Sequence, residues 1–176
     1  CLVGSEMCIR DSLRIYPKFD TGYVGRAKLH LAQGDTVAAL ADIDTALSIN
    51  KNSTNAYSLR SDIAIKSKKD YESALADMNE AIKLQPQFAG YFINRAFLRY
   101  NLNDYFGAMA DYDYAIQLEP LNATALFNRG LLRAEVHDNN KAIDDFTQVL
   151  NLDRNNYHAL YNRAILYKEI ADYRSS

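Results

Sequence analysis

Apolar and small residues recur at helical spacing along this chain, two stripes to a unit, and the whole pattern returns every 34 residues. Within 89–122, Phe92, Ala96 and Arg99 fall at intervals of four and three, which sets them on one face of a helix. Asn103-Asp104 interrupts the stripe as a turn, and Ala108, Met109, Tyr112, Ala115 and Ile116 then line one face of a second helix. Pro120 closes that helix, because proline cannot continue one and the residue before it resists helical geometry. Pro17 and Pro86 hold the same place in other units, and Lys51 and Arg154 stand there in two more.

The repetition is in step and without gaps. Phe92-Ile93-Asn94-Arg95-Ala96 returns as Leu126-Phe127-Asn128-Arg129-Gly130 and as Leu160-Tyr161-Asn162-Arg163-Ala164; Asp70, Asp104, Asp138 and Asp172 lie 34 residues apart. A period of this size predicts an all-α array of stacked two-helix units, with function on its surface rather than in one catalytic pocket. The units read as 20–53, 54–88, 89–122, 123–156 and a truncated fifth at 157–176, with 13–19 ending an earlier one. The second unit is one residue longer. Placing the extra residue in the turn Lys66-Ser67-Lys68-Lys69 keeps Tyr57, Arg60 and Ser61 aligned with Phe92, Arg95 and Ala96.

Residues 1–12 fit no unit. They resemble, residue for residue, the in-frame translation of a transposon adapter used to build sequencing libraries, so they are set aside as a segment of non-natural origin. Both cysteines, Cys1 and Cys8, fall within it, which removes any disulfide, zinc or thiol reading from the remainder. The chain then reads as an internal piece of a longer product. The compartment stays open between cytoplasm and periplasm.

Without Glu6, Arg10 and Asp11 the chain carries 19 Lys and Arg against 20 Asp and Glu. So balanced a charge supplies no field for nucleic acid or anionic lipid, and no apolar run approaches the ~20 residues of a membrane helix. Lys66, Lys68 and Lys69 form the one basic knot, in a predicted turn.

The units resemble the tetratricopeptide repeat family from residue 13 onward. The resemblance rests on a large residue early in the first helix (Tyr23, Tyr57, Phe92, Leu126, Leu160) and a small one four further on (Ala27, Ser61, Ala96, Gly130, Ala164). It also rests on a second-helix alanine (Ala39, Ala74, Ala108, Ala142) followed by Ile43, Met78, Tyr112 and Phe146. It implies a right-handed α-solenoid of antiparallel helix pairs. Small residues permit close helix crossing at roughly 8–10 Å, and Gly130 against Ala142 is the crossing expected in the fourth unit.

Arginine and aspartate recur across each hairpin: Arg26 with Asp42, Arg60 with Asp77, Arg95 with Asp111, Arg129 with Asp145. Sixteen residues separate each pair, seventeen in the longer unit, which sets them opposite one another. A planar guanidinium meets a carboxylate with two hydrogen bonds, so these read as structural ion pairs rather than ligand contacts. Arg163 is left without an aspartate.

In the family that this array resembles, first helices line the concave face that binds peptide. The corresponding positions are Asn94, Asn128 and Asn162, flanked by Ile93, Phe127 and Tyr161 and by Phe97, Leu131 and Ile165. A carboxamide both donates and accepts, so a row of asparagines can pair with the backbone of an extended peptide of any sequence. The same row could instead tie adjacent first helices together. Gly25 and Leu59, beside Lys28 and Asp62, break the row in the first two units, and Lys28 is the one relic of a basic clamp.

His30, His137 and His158 belong to different units, and no phosphate loop, His-Glu-x-x-His or Gly-x-Ser-x-Gly is present. The expectation is a non-catalytic protein-interaction scaffold that binds an extended peptide, with no cofactor, metal or nucleic acid. The alternative is the substrate-recruiting arm of a larger enzyme. Leu160, Ala164 and Tyr167 await a second helix to pack on, so self-association or fraying is expected at that end.

Overall fold

The computed structural model describes residues 2–68 and 70–175, with side chains over 7–66 and 70–171. Asp172, and the Ser67, Lys68 and Lys69 side chains of the lengthened turn, lie outside the described residues. Within them are ten helices and no strand: α1 (Leu2–Ile15), α2 (Asp20–Ala32), α3 (Thr36–Ile49), α4 (Thr54–Lys68), α5 (Tyr71–Leu84), α6 (Ala89–Asn101), α7 (Tyr105–Leu118), α8 (Ala123–Glu135), α9 (Asn139–Leu152) and α10 (Tyr157–Ser175). They fall into two compact units, Cys1–Pro86 with α1–α5 and Gln87–Ser176 with α6–α10. Consecutive helices pack as hairpins: α2 on α3 and α4 on α5 in the first unit, α6 on α7 and α8 on α9 in the second.

The turns inside the hairpins share one chemistry. Gly34, Asn103 and His137 take the left-handed conformation at φ 82°, 63° and 62°. Glycine has no steric penalty there and asparagine a small one, whereas histidine is a less usual occupant. The following amide then reaches back five residues: Asp35 N to His30 O, Asp104 N to Arg99 O and Asp138 N to Arg133 O, each at 2.8 Å. In the second hairpin that bond runs from Asp70 N to Ala64 O, six residues back, at 3.2 Å. The extra residue therefore lies inside this turn. Asp35, Asp70 and Asp104 cap the next helix by accepting from the amides of Ala38, Ser73 and Gly107, which satisfies a donor the helix cannot. Asp138 makes no such cap and lies 2.9 Å from Lys141 Nζ instead.

Each unit has its own core. In the first, Val24, Ala27, Ala39, Ile43, Ala46, Ala56 and Ile63 form one buried cluster. In the second, Leu126, Ala142, Ile143, Phe146, Val149, Leu150, Ala159 and Leu166 form another. The small first-helix residues Ala27, Ser61 and Ala96 are wholly buried, as are the second-helix alanines Ala39, Ala74, Ala108 and Ala142.

Two further contacts involve glycines of the first helices. A Cβ built on Gly130 would lie 2.9 Å from Phe146 Cε1, and the three nearest atoms all belong to that ring. Gly130 thus makes room for Phe146, one helical turn beyond Ala142. Residues 2–12, set aside in the sequence, are the leading part of α1, and Ile9 Cδ1 stands 3.5 Å from the Cβ position of Gly25 on α2.

Candidate functional site

A layer of charge runs through every hairpin. Arg26 donates from Nε and Nη2 to both carboxylate oxygens of Asp42 at 2.8 and 2.6 Å. Arg60 does the same to Asp77 at 2.8 and 2.7 Å, Arg95 to Asp111 at 2.8 and 2.7 Å, and Arg129 to Asp145 at 3.0 and 2.7 Å. The four aspartates are buried, Asp145 completely. Bonds to Asp42 and Asp77 push the guanidiniums of Arg26 and Arg60 above their ordinary value, although burial pulls the other way. Arg26, Arg60 and Arg95 also lie over the rings of Tyr23, Tyr57 and Phe92, with 5.3–5.8 Å from Cζ to centroid, a cation–π distance.

Further partners of this layer went unread in the sequence. Arg99 and Arg133, one turn after Arg95 and Arg129, donate from Nη1 to Asp111 at 2.9 Å and to Asp145 at 2.8 Å. The remaining nitrogen of the first arginine reaches the preceding hairpin: Arg60 Nη1 to Asp44 at 3.1 Å and Arg129 Nη1 to Asp113 at 2.7 Å. Arg163 is not without a partner, since its Nη1 donates to Thr147 Oγ1 at 3.1 Å. Asp44, Asp113 and Thr147 each stand sixteen residues before their arginine, a spacing that was available in the sequence.

The asparagine row lies on the first helices of the second unit, and its three members are half-buried. Asn94 and Asn128 make no hydrogen bond to another described residue, whereas Asn162 donates from Nδ2 to His158 O at 2.8 Å. Among the described residues no side-chain hydrogen bond joins Asn94, Asn128 and Asn162 to one another. Its neighbours divide. Phe97, Leu131 and Ile165 are exposed to 41%, 40% and 37%, and Tyr161 to 68%. Ile93, by contrast, is buried, and Phe127 is half-buried with its ring 5.6 Å from that of Phe146. Ile93 is turned toward the packed side, whereas Tyr161, at the same place one step before its asparagine, stays exposed.

Two pockets open along this row. One of about 320 Å³ is lined by Phe97 and Tyr100 of α6, Tyr112 of α7, and Asn128, Leu131, Leu132 and Glu135 of α8. The next, of about 370 Å³, includes Leu131 and Glu135 again, with Asn162, Ile165 and Glu169 of α10. The corresponding place in the first unit, about 260 Å³, is lined by Leu31, Thr36, Leu59, Asp62, Ile63 and Lys66. Burial raises the Asp62 carboxyl there, and Lys66 partly offsets it. Leu59 replaces the asparagine, so this pocket lacks the carboxamide.

Among the described residues no group of His, Cys, Asp and Glu could hold a metal ion. His30 Nε2 stands 3.6 Å from Asp42, His137 makes a turn, and His158 presents its ring to Phe127. No described helix is long and apolar enough to cross a membrane.

Stacked helical hairpins with small crossing residues and an interior Arg–Asp layer define a helical-repeat protein. More particularly, the fold is that of the tetratricopeptide repeat, whose family model matches residues 54–88. Among solved structures, the chain is similar to YrrB, "a TPR protein with an unusual peptide-binding site" (20% identity, TM-score 0.78, over 93% of this chain and 84% of that one). It is similar also to the Arabidopsis OM64 TPR domain (28%, TM-score 0.63, 68% and 98%). A third is the first TPR of Spaghetti (RPAP3) bound to the HSP90 peptide SRMEEVD (22%, TM-score 0.64, 67% and 93%). No curated protein matches the chain.

Proposed function

We propose that this protein is a non-catalytic interaction scaffold whose second unit binds an extended peptide segment of a partner protein along α6, α8 and α10. One observation carries the reading: the carboxamides of Asn94 and Asn128 stand half-exposed on successive first helices with no hydrogen-bond partner among the described residues. Both groups are open to an incoming chain, and a carboxamide offers a peptide group both a donor and an acceptor. The pockets beside them receive side chains, while the asparagines hold the backbone without regard to sequence. Two of the similar structures are described in terms of a peptide site or a bound peptide, which is in keeping with that use of the fold.

The test is a peptide-display selection on the full chain, repeated with Asn94→Ala/Asn128→Ala. Peptides that bind the parent and are lost tenfold or more in the double variant support the reading. Equal binding to both, or no enrichment at all, overturns it.

A further inference from the structure

The first pocket of the second unit is unlike its equivalents in what surrounds its mouth. Phe97, Tyr100 and Tyr112 supply three aromatic rings, where the following pocket has Leu131, Ala134 and Phe146. Tyr112 is almost wholly buried, while Phe97 and Tyr100 stay exposed to 41% and 37%. Glu135 lies exposed at the end of α8, lines the same pocket, and makes no ion pair or hydrogen bond with another described residue. The interior carboxylates Asp111 and Asp145 are each held by two arginines, and Asp113 by one. Glu135 is the acid whose charge remains available to something that enters.

We infer that the pocket between α6 and α8 takes the side chain of a lysine or arginine from the bound peptide, its alkyl stem against Phe97, Tyr100 and Leu131 and its cation beside Glu135. The proposal rests on the peptide-binding reading above and names the residue class that reading leaves open. Three features favour a cation over an apolar or acidic side chain. Ring faces attract a cation through their quadrupole. A long basic side chain carries apolar methylenes and a charged tip, which suits a pocket with aromatic and aliphatic walls and Glu135 in its lining. The volume of about 320 Å³ lies at the small end of the roughly 300–1,000 Å³ that ligand pockets span, suited to one side chain rather than a larger group. The local field has the same sign: burial, then the Glu135 charge, raises the Tyr100 phenol. An acidic side chain would meet Glu135 with like charge.

The probe is N-acetyl-lysine N-methylamide, with its norleucine counterpart of the same length and no charge. Each is titrated into the full chain while NMR follows the Leu131 methyls and the Tyr100 ring. Lysine is expected to bind at least about threefold to tenfold more tightly than norleucine, the range a cation–π contact supplies. Glu135→Gln, at an exposed helix end, should remove most of that preference while leaving norleucine unchanged. Equal binding of the two probes, an unchanged preference in Glu135→Gln, or no shift at tens of millimolar overturns the pocket assignment. Loss of displayed peptides in the asparagine variants together with equal probe binding would leave the groove standing and the basic side chain refuted.

Discussion

Replacing Asp145 by alanine should be the most costly single change in the second unit. Asp145 is wholly buried and accepts three charged hydrogen bonds, from Arg129 Nε and Nη2 and from Arg133 Nη1, at 2.7–3.0 Å. Removing one partner of a buried ion pair costs about 3–5 kcal/mol, because the remaining charge stays buried without compensation. Two terms lower the figure here. Arg129 keeps Asp113 at 2.7 Å, and the Arg133 side chain is 16% exposed, so its head can turn to water. The expected loss is about 3 kcal/mol. Asp42→Ala should cost less, since Arg26 is its one arginine and is 30% exposed. Urea unfolding followed by circular dichroism measures both, with hydrogen exchange assigning the loss to α8 and α9. A loss below about 1 kcal/mol for Asp145→Ala, the range of an exposed pair, would refute the argument. So would a loss no larger than that of Asp42→Ala. The triple variant Arg129→Leu/Arg133→Met/Asp145→Leu should recover much of the stability, because an apolar replacement of a buried ion group is often neutral.

Ser61 is wholly buried, and its hydroxyl has no hydrogen-bond partner among the described residues; Ser61→Ala should stabilise the first unit by about 1 kcal/mol, measured as a rise in the urea midpoint. Gly130→Val should destabilise the second by about 1–3 kcal/mol through overpacking against Phe146, with Gly130→Ala closer to neutral because alanine regains helix propensity of about 1 kcal/mol; a midpoint unchanged in the valine variant would contradict the crossing. Burial pushes the Tyr112 phenol up to about 12, so its contribution to stability is whole below pH 10 and is lost between 10 and 12. An ultraviolet titration should show a late ionising tyrosine that Tyr112→Phe removes. Tyr161 and Tyr167 are exposed to 68% and 54%, beside Leu160 at 39%; sedimentation should find concentration-dependent association that Tyr161→Ser/Tyr167→Ser abolishes.

The sequence by itself determined the hairpins, because the determinants of a hairpin are local. Helical spacing, an aspartate before each of α3, α5, α7 and α9 and a proline after three of the second helices set where helices begin and end. A repeat of 34 residues requires that whatever one unit does, the next does too. Hence the facing of Arg95 and Asp111 could be read from their spacing alone. The tertiary structure decided what depends on how each helix is turned toward its neighbours. It brought Arg133 and Asp113 to the Arg129–Asp145 pair, seated Gly130 over the Phe146 ring, buried Ile93, and left the Asn94 and Asn128 carboxamides without a hydrogen-bond partner among the described residues. These follow from how neighbouring helices rotate about their axes, and a few tens of degrees move a side chain from groove to core. Periodicity gives the position of a residue around its own helix; contact with the next one decides whether that position faces protein or solvent.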